Sequence, residues 1–194
     1  MTYVQTIEPR LTAVRDVAPL DTAAVLAEWT RDLCEELTAR CQLMSVDELH
    51  WQPHPDQNPN AVTVWHVTRW IDVLGSRLFT GRPAEADAWH QAGWRDATGY
   101  EPDGIGFLGL GTLTGYSPEE MRAVPLLDGA SLIAYLGQAT DRLLTVIASM
   151  DNVTARPKSG GQTPYQIIGS TLQGSFGHVG EIDALVALRA RLRQ

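Results

Sequence analysis

His66 and His178 are the residues of this chain whose type and setting most directly suggest chemistry. His66 lies in AVTVWHVTRW (residues 61–70) and His178 in GSFGHVGEI (residues 174–182), both helix-forming stretches with apolar neighbours. Imidazoles on the inner faces of two helices are one way to build a metal site inside a helix bundle. Two ligands from a single helix sit three or four residues apart, because those positions face the same point in space. Four residues before His178 stands Gly174, which offers no ligand atom, and three residues after it stands Glu181, which offers a carboxylate. Two histidines alone fall short of the three protein ligands typical of a catalytic zinc site. On spacing alone, a lone helical histidine is more often packed or hydrogen-bonded than a ligand, and Glu181 is more often a solvated acid.

The remaining histidines add little. His50 and His54 lie in the proline-rich HWQPHPDQNP (residues 50–59) and His90 in the long stretch beyond, so all three are surface loop histidines by default. His50 and Glu181 are the substitutes available to complete a metal sphere around His66 and His178. Trp51, Trp65, Trp70, Trp89 and Trp94 cluster around the His66 helix, where tryptophans ordinarily fill a core and less often form a stacking wall. Cys34 and Cys41 are seven residues apart on one helix, roughly 10 Å along its axis and too far for a disulfide.

Four amphipathic helices must position these residues. Asp21 caps a helix from about Thr22 to Leu43, with Val25, Leu26, Trp29, Leu33, Leu37 and Cys41 as its apolar stripe. Ser45 and Glu48 make a capping box for a short turn. Asn60 caps a second helix from Ala61 to about Phe79, with Val64, Val67, Ile71, Leu74 and Leu78 as apolar rows. Asp128 or Ser131 opens a third helix to Ser149, and Thr163-Pro164 a fourth that runs toward Arg193. No β-rich stretch intervenes, so the expected fold is all-α, a four-helix bundle with a long loop insertion, residues 82–127, between helices two and three. So long an insertion is usually functional or covers a site. Residues 1–20, with Pro9 and Pro19, read as an N-terminal arm, and residues 21–194 as one domain.

Composition narrows the classes further. The chain has 194 residues, 44% hydrophobic and 20% charged, with a formal charge of −8 spread along its length. Phosphate neutralisation needs clustered Lys and Arg, so nucleic acid and anionic membrane are disfavoured as partners. No stretch approaches the ~18 apolar residues of a membrane span, and no signal peptide is visible, so a cytoplasmic location is expected.

Three segments carry a family resemblance. Residues 43–53, LMSVDELHWQP, and 58–70, NPNAVTVWHVTRW, resemble the turn, loop and second helix of the DinB-like superfamily. Residues 163–182, TPYQIIGSTLQGSFGHVGEI, look like its last helix, which usually reads H-x-x-x-H-x-G-Q-I. Residues 93–95 and 115–120 are similar to a loop in one branch of the family. The resemblance covers most of the chain after residue 22. It implies a four-helix bundle, often paired as a homodimer. Metal-binding members hold a divalent ion, commonly nickel or zinc, by one histidine of the second helix and two of the fourth. Carried over, the outer ligands fall on His66 and His178, and the middle one on Gly174, a departure from the pattern.

Three functional readings follow. The first is a family member with a degenerate metal site that binds a small molecule or serves a stress response, with no resident metal. The second is a divalent-metal-dependent S-transferase or isomerase using a low-molecular-weight thiol, as the resemblance implies. The third is a bundle whose glycine-rich fourth helix, with Gly169, Gly174, Gly177 and Gly180, serves dimerisation.

Overall fold

The structure, a computed structural model, describes residues 21–150 and 161–193. The expected arm 1–20 and the connection after Asp151 lie outside the described residues. Among the described residues all regular structure is helical. No helix there is long and apolar enough to cross a membrane.

Local sequence sets the ends of the long helices. α1 spans Thr22–Leu43, with the Asp21 carboxylate accepting from Ala23 N at 3.0 Å. α2, Val46–Leu49, has a complete capping box between Ser45 and Glu48. α3 spans Asn60–Val73 and runs on into a π-helical turn, Leu74–Leu78. Residues 82–127 contain the short helices α4 (Ala88–Gln91), α5 (Trp94–Thr98) and α6 (Pro118–Ala123), the last with a Ser117/Glu120 capping box. α7 spans Gly129–Ser149 and is capped by Asp128, whose carboxylate accepts from Ser131 N at 2.8 Å. α8 spans Pro164–Leu192 behind a Thr163/Gln166 capping box.

α1 and α3 each pack against both α7 and α8, and the apolar rows of the four helices meet in one core. Leu33, Leu37, Trp65, Ile71, Leu136 and Leu172 are fully buried there. Burying a leucine or isoleucine completely is worth ~1.5–3 kcal/mol, so these rows dominate the cohesion of the long helices. At Gly75 a β-carbon would come within 2.5 Å of Leu143 N. Glycine there lets the end of α3 lie directly on the α7 backbone.

Three expectations differ from the structure. Trp29 is 46% exposed, because the inward row of α1 runs through Leu26, Thr30, Leu33, Leu37 and Cys41 instead. Thr30 tolerates that place by donating its hydroxyl to Leu26 O at 2.7 Å. Asn60 is the first residue of α3 and makes no cap; Pro59 holds the cap position, and Asn60 Nδ2 lies 3.3 Å from Met44 Sδ. Leu78 is exposed because the π turn rotates it out of the apolar row.

α3 is buried on almost every side; of its residues only His66 and Trp70 are not buried. The long helices cover one face and residues 82–127 the other, which places polar side chains in the interior. Arg69 donates to Asp72 Oδ2 at 2.9 Å and to Asp87 Oδ2 at 3.0 Å, all three side chains being fully buried. The Asp72 carboxylate also accepts from Tyr135 OH at 2.9 Å and from the backbone N–H groups of Ala88 and Trp89 at 2.7 and 3.1 Å. Burial pushes the Asp87 carboxyl up, and the Arg69 guanidinium opposes that push. Buried charge is tolerated only when paired and hydrogen-bonded, so this network ties residues 82–127 to α3 and α7.

Candidate functional site

His66 and Trp70 are four residues apart on α3, so they share one face, and that face looks toward α8. Ring centroids of His66 and His178 are 4.9 Å apart, with the ring planes at 86°. The two expected partners therefore meet. Each ring is held at Nδ1. The His66 Nδ1 contacts the carbonyl oxygen of Thr112, and His178 Nδ1 lies 2.7 Å from Glu181 Oε2. A carbonyl or carboxylate oxygen only accepts, so each Nδ1 carries the hydrogen, and a ring that is neutral then has its Nε2 lone pair unused.

The acceptor on His66 is itself positioned by the buried network. Arg69 donates to the carbonyls of Leu110 and Gly111, both at 3.3 Å, and Arg77 donates to Leu110 O at 2.9 Å. The next carbonyl along the chain is that of Thr112. Leu113 follows with φ +75°, a left-handed conformation that a leucine rarely adopts. Gly111, at φ +66°, has Pro102 O where a β-carbon would stand, 2.3 Å away. Backbone strain of this kind is found where a fixed geometry matters. Burial is the main reason the His66 imidazole is pushed down to about 4; His178 pushes the same way, while the Thr112 carbonyl and Glu181 pull back. His66 is therefore neutral at pH 7.

The imidazole pair stands between two hollows. One, of about 210 Å³, is lined by Trp70, Ser170, Thr171, Gly174 and Ser175 together with both histidines. The other, of about 270 Å³, holds Thr63, Leu113, Met121 and Glu181 beside them. Trp70 donates its indole N–H to Thr114 Oγ1 at 3.3 Å, which closes part of the wall. Trp65 is fully buried, edge to face with Trp89 at 5.8 Å, so it belongs to the core and Trp70 is the aromatic side chain of the cleft.

The donor set for a metal can be read from these positions. A β-carbon at Gly174 would meet nothing within 4 Å, so the place of the third ligand is open space. The Glu181 carboxylate is engaged at His178 Nδ1. His50 Nε2 lies 3.0 Å from Leu127 O, and His50 is not among the residues lining either hollow. Among the described residues no group of three or more His, Cys, Asp or Glu side chains is placed to hold a metal ion. The pair supplies two nitrogen donors, one short of the usual three. Cys41 is buried, and that burial raises its thiol to about 11, far from a reactive thiolate.

Thr112 and Arg69 were missed as site residues, and Trp70 was named only as one of a cluster of tryptophans. Thr112 acts through a backbone carbonyl, which any residue type provides, so no side-chain signal could reveal it. Arg69 and Asp72, three residues apart in an otherwise apolar helix, were the one visible sign of a polar core.

Comparison with curated proteins gave no match. A family profile described as the DinB superfamily matches residues 26–182, from α1 through the segment that holds His178. The chain belongs to the DinB superfamily.

Proposed function

We propose that this chain is a small-molecule-binding member of the superfamily, built on a DinB-type four-helix bundle of α1, α3, α7 and α8 with a degenerate metal site. One observation carries the reading. Both imidazoles have Nδ1 anchored, neutral His66 leaves its Nε2 unused, and the cleft beside them widens at Gly174. The Nε2 lone pair of neutral His66 is complementary to a hydrogen-bond donor on the ligand, such as a hydroxyl, amide or thiol. The Ser170, Thr171 and Ser175 side chains line the same hollow. Pairing of two copies belongs to the same reading. Gly177 and Gly180 lie exposed on α8 with open space beyond them, which permits close approach of another helix.

A second reading has its own support. A histidine whose Nδ1–H is held by a carboxylate or carbonyl is the usual arrangement of a metal-bound imidazole. Nickel or zinc held by His66 and His178, with water completing the sphere, would then serve thiol transfer or isomerisation. The open position at Gly174 ranks it second.

Elemental analysis of protein purified without a histidine tag separates the two. The small-molecule reading expects no stoichiometric metal. It also expects saturable shifts of the His66 and His178 ring nitrogens with one class in a panel of alcohols, amides and thiols, lost in His66→Ala. Stoichiometric nickel or zinc in the wild type, lost in His66→Ala or His178→Ala, would overturn it in favour of the second.

A further inference from the structure

The hollow on the Glu181 side of the imidazoles shares part of its wall with a second hollow. Asn58 and Met121 line both, and the second, of about 220 Å³, lies between the proline-rich loop and α6. The second hollow is walled largely by apolar side chains: Pro55, Pro59, Val62, Pro118, Met121 and Leu126. Leu126 is 49% exposed, a large apolar side chain left open to water. Proline fixes φ, so a wall that includes three prolines loses little conformational entropy when a ligand is bound.

Two charged groups share this wall. Asp56 faces His54, Oδ2 to Nδ1 at 3.5 Å. Arg122 is the other, and among the described residues no hydrogen bond or ion pair engages its guanidinium. An unpaired guanidinium beside an apolar surface is complementary to a carboxylate carried on an apolar body, since its planar fork matches the two carboxylate oxygens.

We propose that this hollow is a binding subsite for a monocarboxylic acid with an aryl or branched aliphatic body. The carboxylate sits on Arg122, and the body lies against Val62, Met121 and Leu126. The far end of the ligand passes between Asn58 and Met121 toward His66 and His178. That last step rests on the reading of the imidazole cleft given above; the subsite itself does not.

The test is an amide NMR titration of the whole chain with 3-phenylpropionate, beside 3-phenylpropanol and 3-phenylpropylamine, which lack the carboxylate. Saturable shifts are expected in residues 56–62 and 119–126, with Kd about tenfold lower for the acid than for the alcohol or the amine. Arg122→Gln and Leu126→Asp, both at exposed positions, should each raise the Kd of the acid about tenfold while the rest of the spectrum is unchanged. Shifts that extend to the ring nitrogens of His66 and His178 support the joined cleft. Saturable, Arg122-dependent shifts confined to residues 56–62 and 119–126 support the subsite and count only against the imidazoles as part of the same ligand site. Absence of saturable shifts in both segments, or one Kd for acid, alcohol, amine and Arg122→Gln alike, overturns the proposal.

Discussion

His66 and His178 meet edge to face between α3 and α8, and neither ring is free to choose its tautomer. Thr112 O holds Nδ1 of the first and Glu181 Oε2 holds Nδ1 of the second. Both rings line the two hollows that flank them.

Acidification should weaken the fold through His66. Its folded value is pushed down to about 4 from an ordinary 6.5, so between those limits the unfolded chain binds more protons than the folded one. The stabilising contribution is complete above pH 6.5 and is lost as pH falls toward 4, amounting to roughly 3 kcal/mol over that window. Urea unfolding between pH 7 and pH 4 measures it. His66→Gln, which cannot titrate, should show a shallower fall than the wild type. Equal slopes would contradict the assignment.

Arg69→Met should be among the most damaging single substitutions in α3. It leaves Asp72 and Asp87 in the interior without their guanidinium, a loss of about 3–5 kcal/mol for a broken buried pair. Urea unfolding should show it, whereas Arg31→Ala, which removes an exposed pair with Glu28, should leave the midpoint unchanged. In whatever Arg69→Met protein folds, the Thr112 carbonyl loses its support and the His66 ring signals should broaden or split.

Gly174→His should convert the cleft into a metal site. The position is four residues before His178 on the same face of α8, with open space around it. Calorimetric titration of zinc or nickel should give one ion per chain, bound orders of magnitude tighter than by the wild type. The same affinity in both proteins would show that Gly174 does not face the imidazole pair.

Two glycine-to-alanine substitutions should have opposite signs. At Gly75 the new methyl would press on the α7 backbone at Leu143, costing about 1–3 kcal/mol despite the better helix propensity of alanine. At Gly177 it would meet nothing within 4 Å, so the propensity gain of about 0.5–1 kcal/mol remains. Thermal melts of both variants make the comparison. The gain is read at a concentration where light scattering shows single chains; at higher concentration a methyl at a close helix approach would weaken a dimer.

What the sequence revealed depended on how local the determining interaction is. The starts of α1, α2, α7 and α8 were legible because Asp21, Ser45 with Glu48, Asp128 or Ser131, and Thr163-Pro164 mark them within three residues; the cap of α7 is Asp128. The meeting of His66 and His178 was legible through the family register of two distant helices. The surroundings of α3 were not. A one-sided apolar stripe assumes that the other face meets water, but residues 82–127 cover it, which buries Thr68, Arg69 and Asp72 and puts Trp65 in the core. The partners of Arg69, at Asp87 and Tyr135, lie 18 and 66 residues away in sequence. The Thr112 carbonyl leaves no trace in residue type at all.

The most direct measurement is the ring-nitrogen NMR spectrum of the metal-free protein, with 15N-labelled histidine, at pH 7.5. Both His66 and His178 should appear protonated at Nδ1, and His66 should show the shift of a bare Nε2. An Nε2-protonated tautomer at His66, or rapid tautomer exchange at both rings, would contradict the claim that the fold anchors both imidazoles at Nδ1.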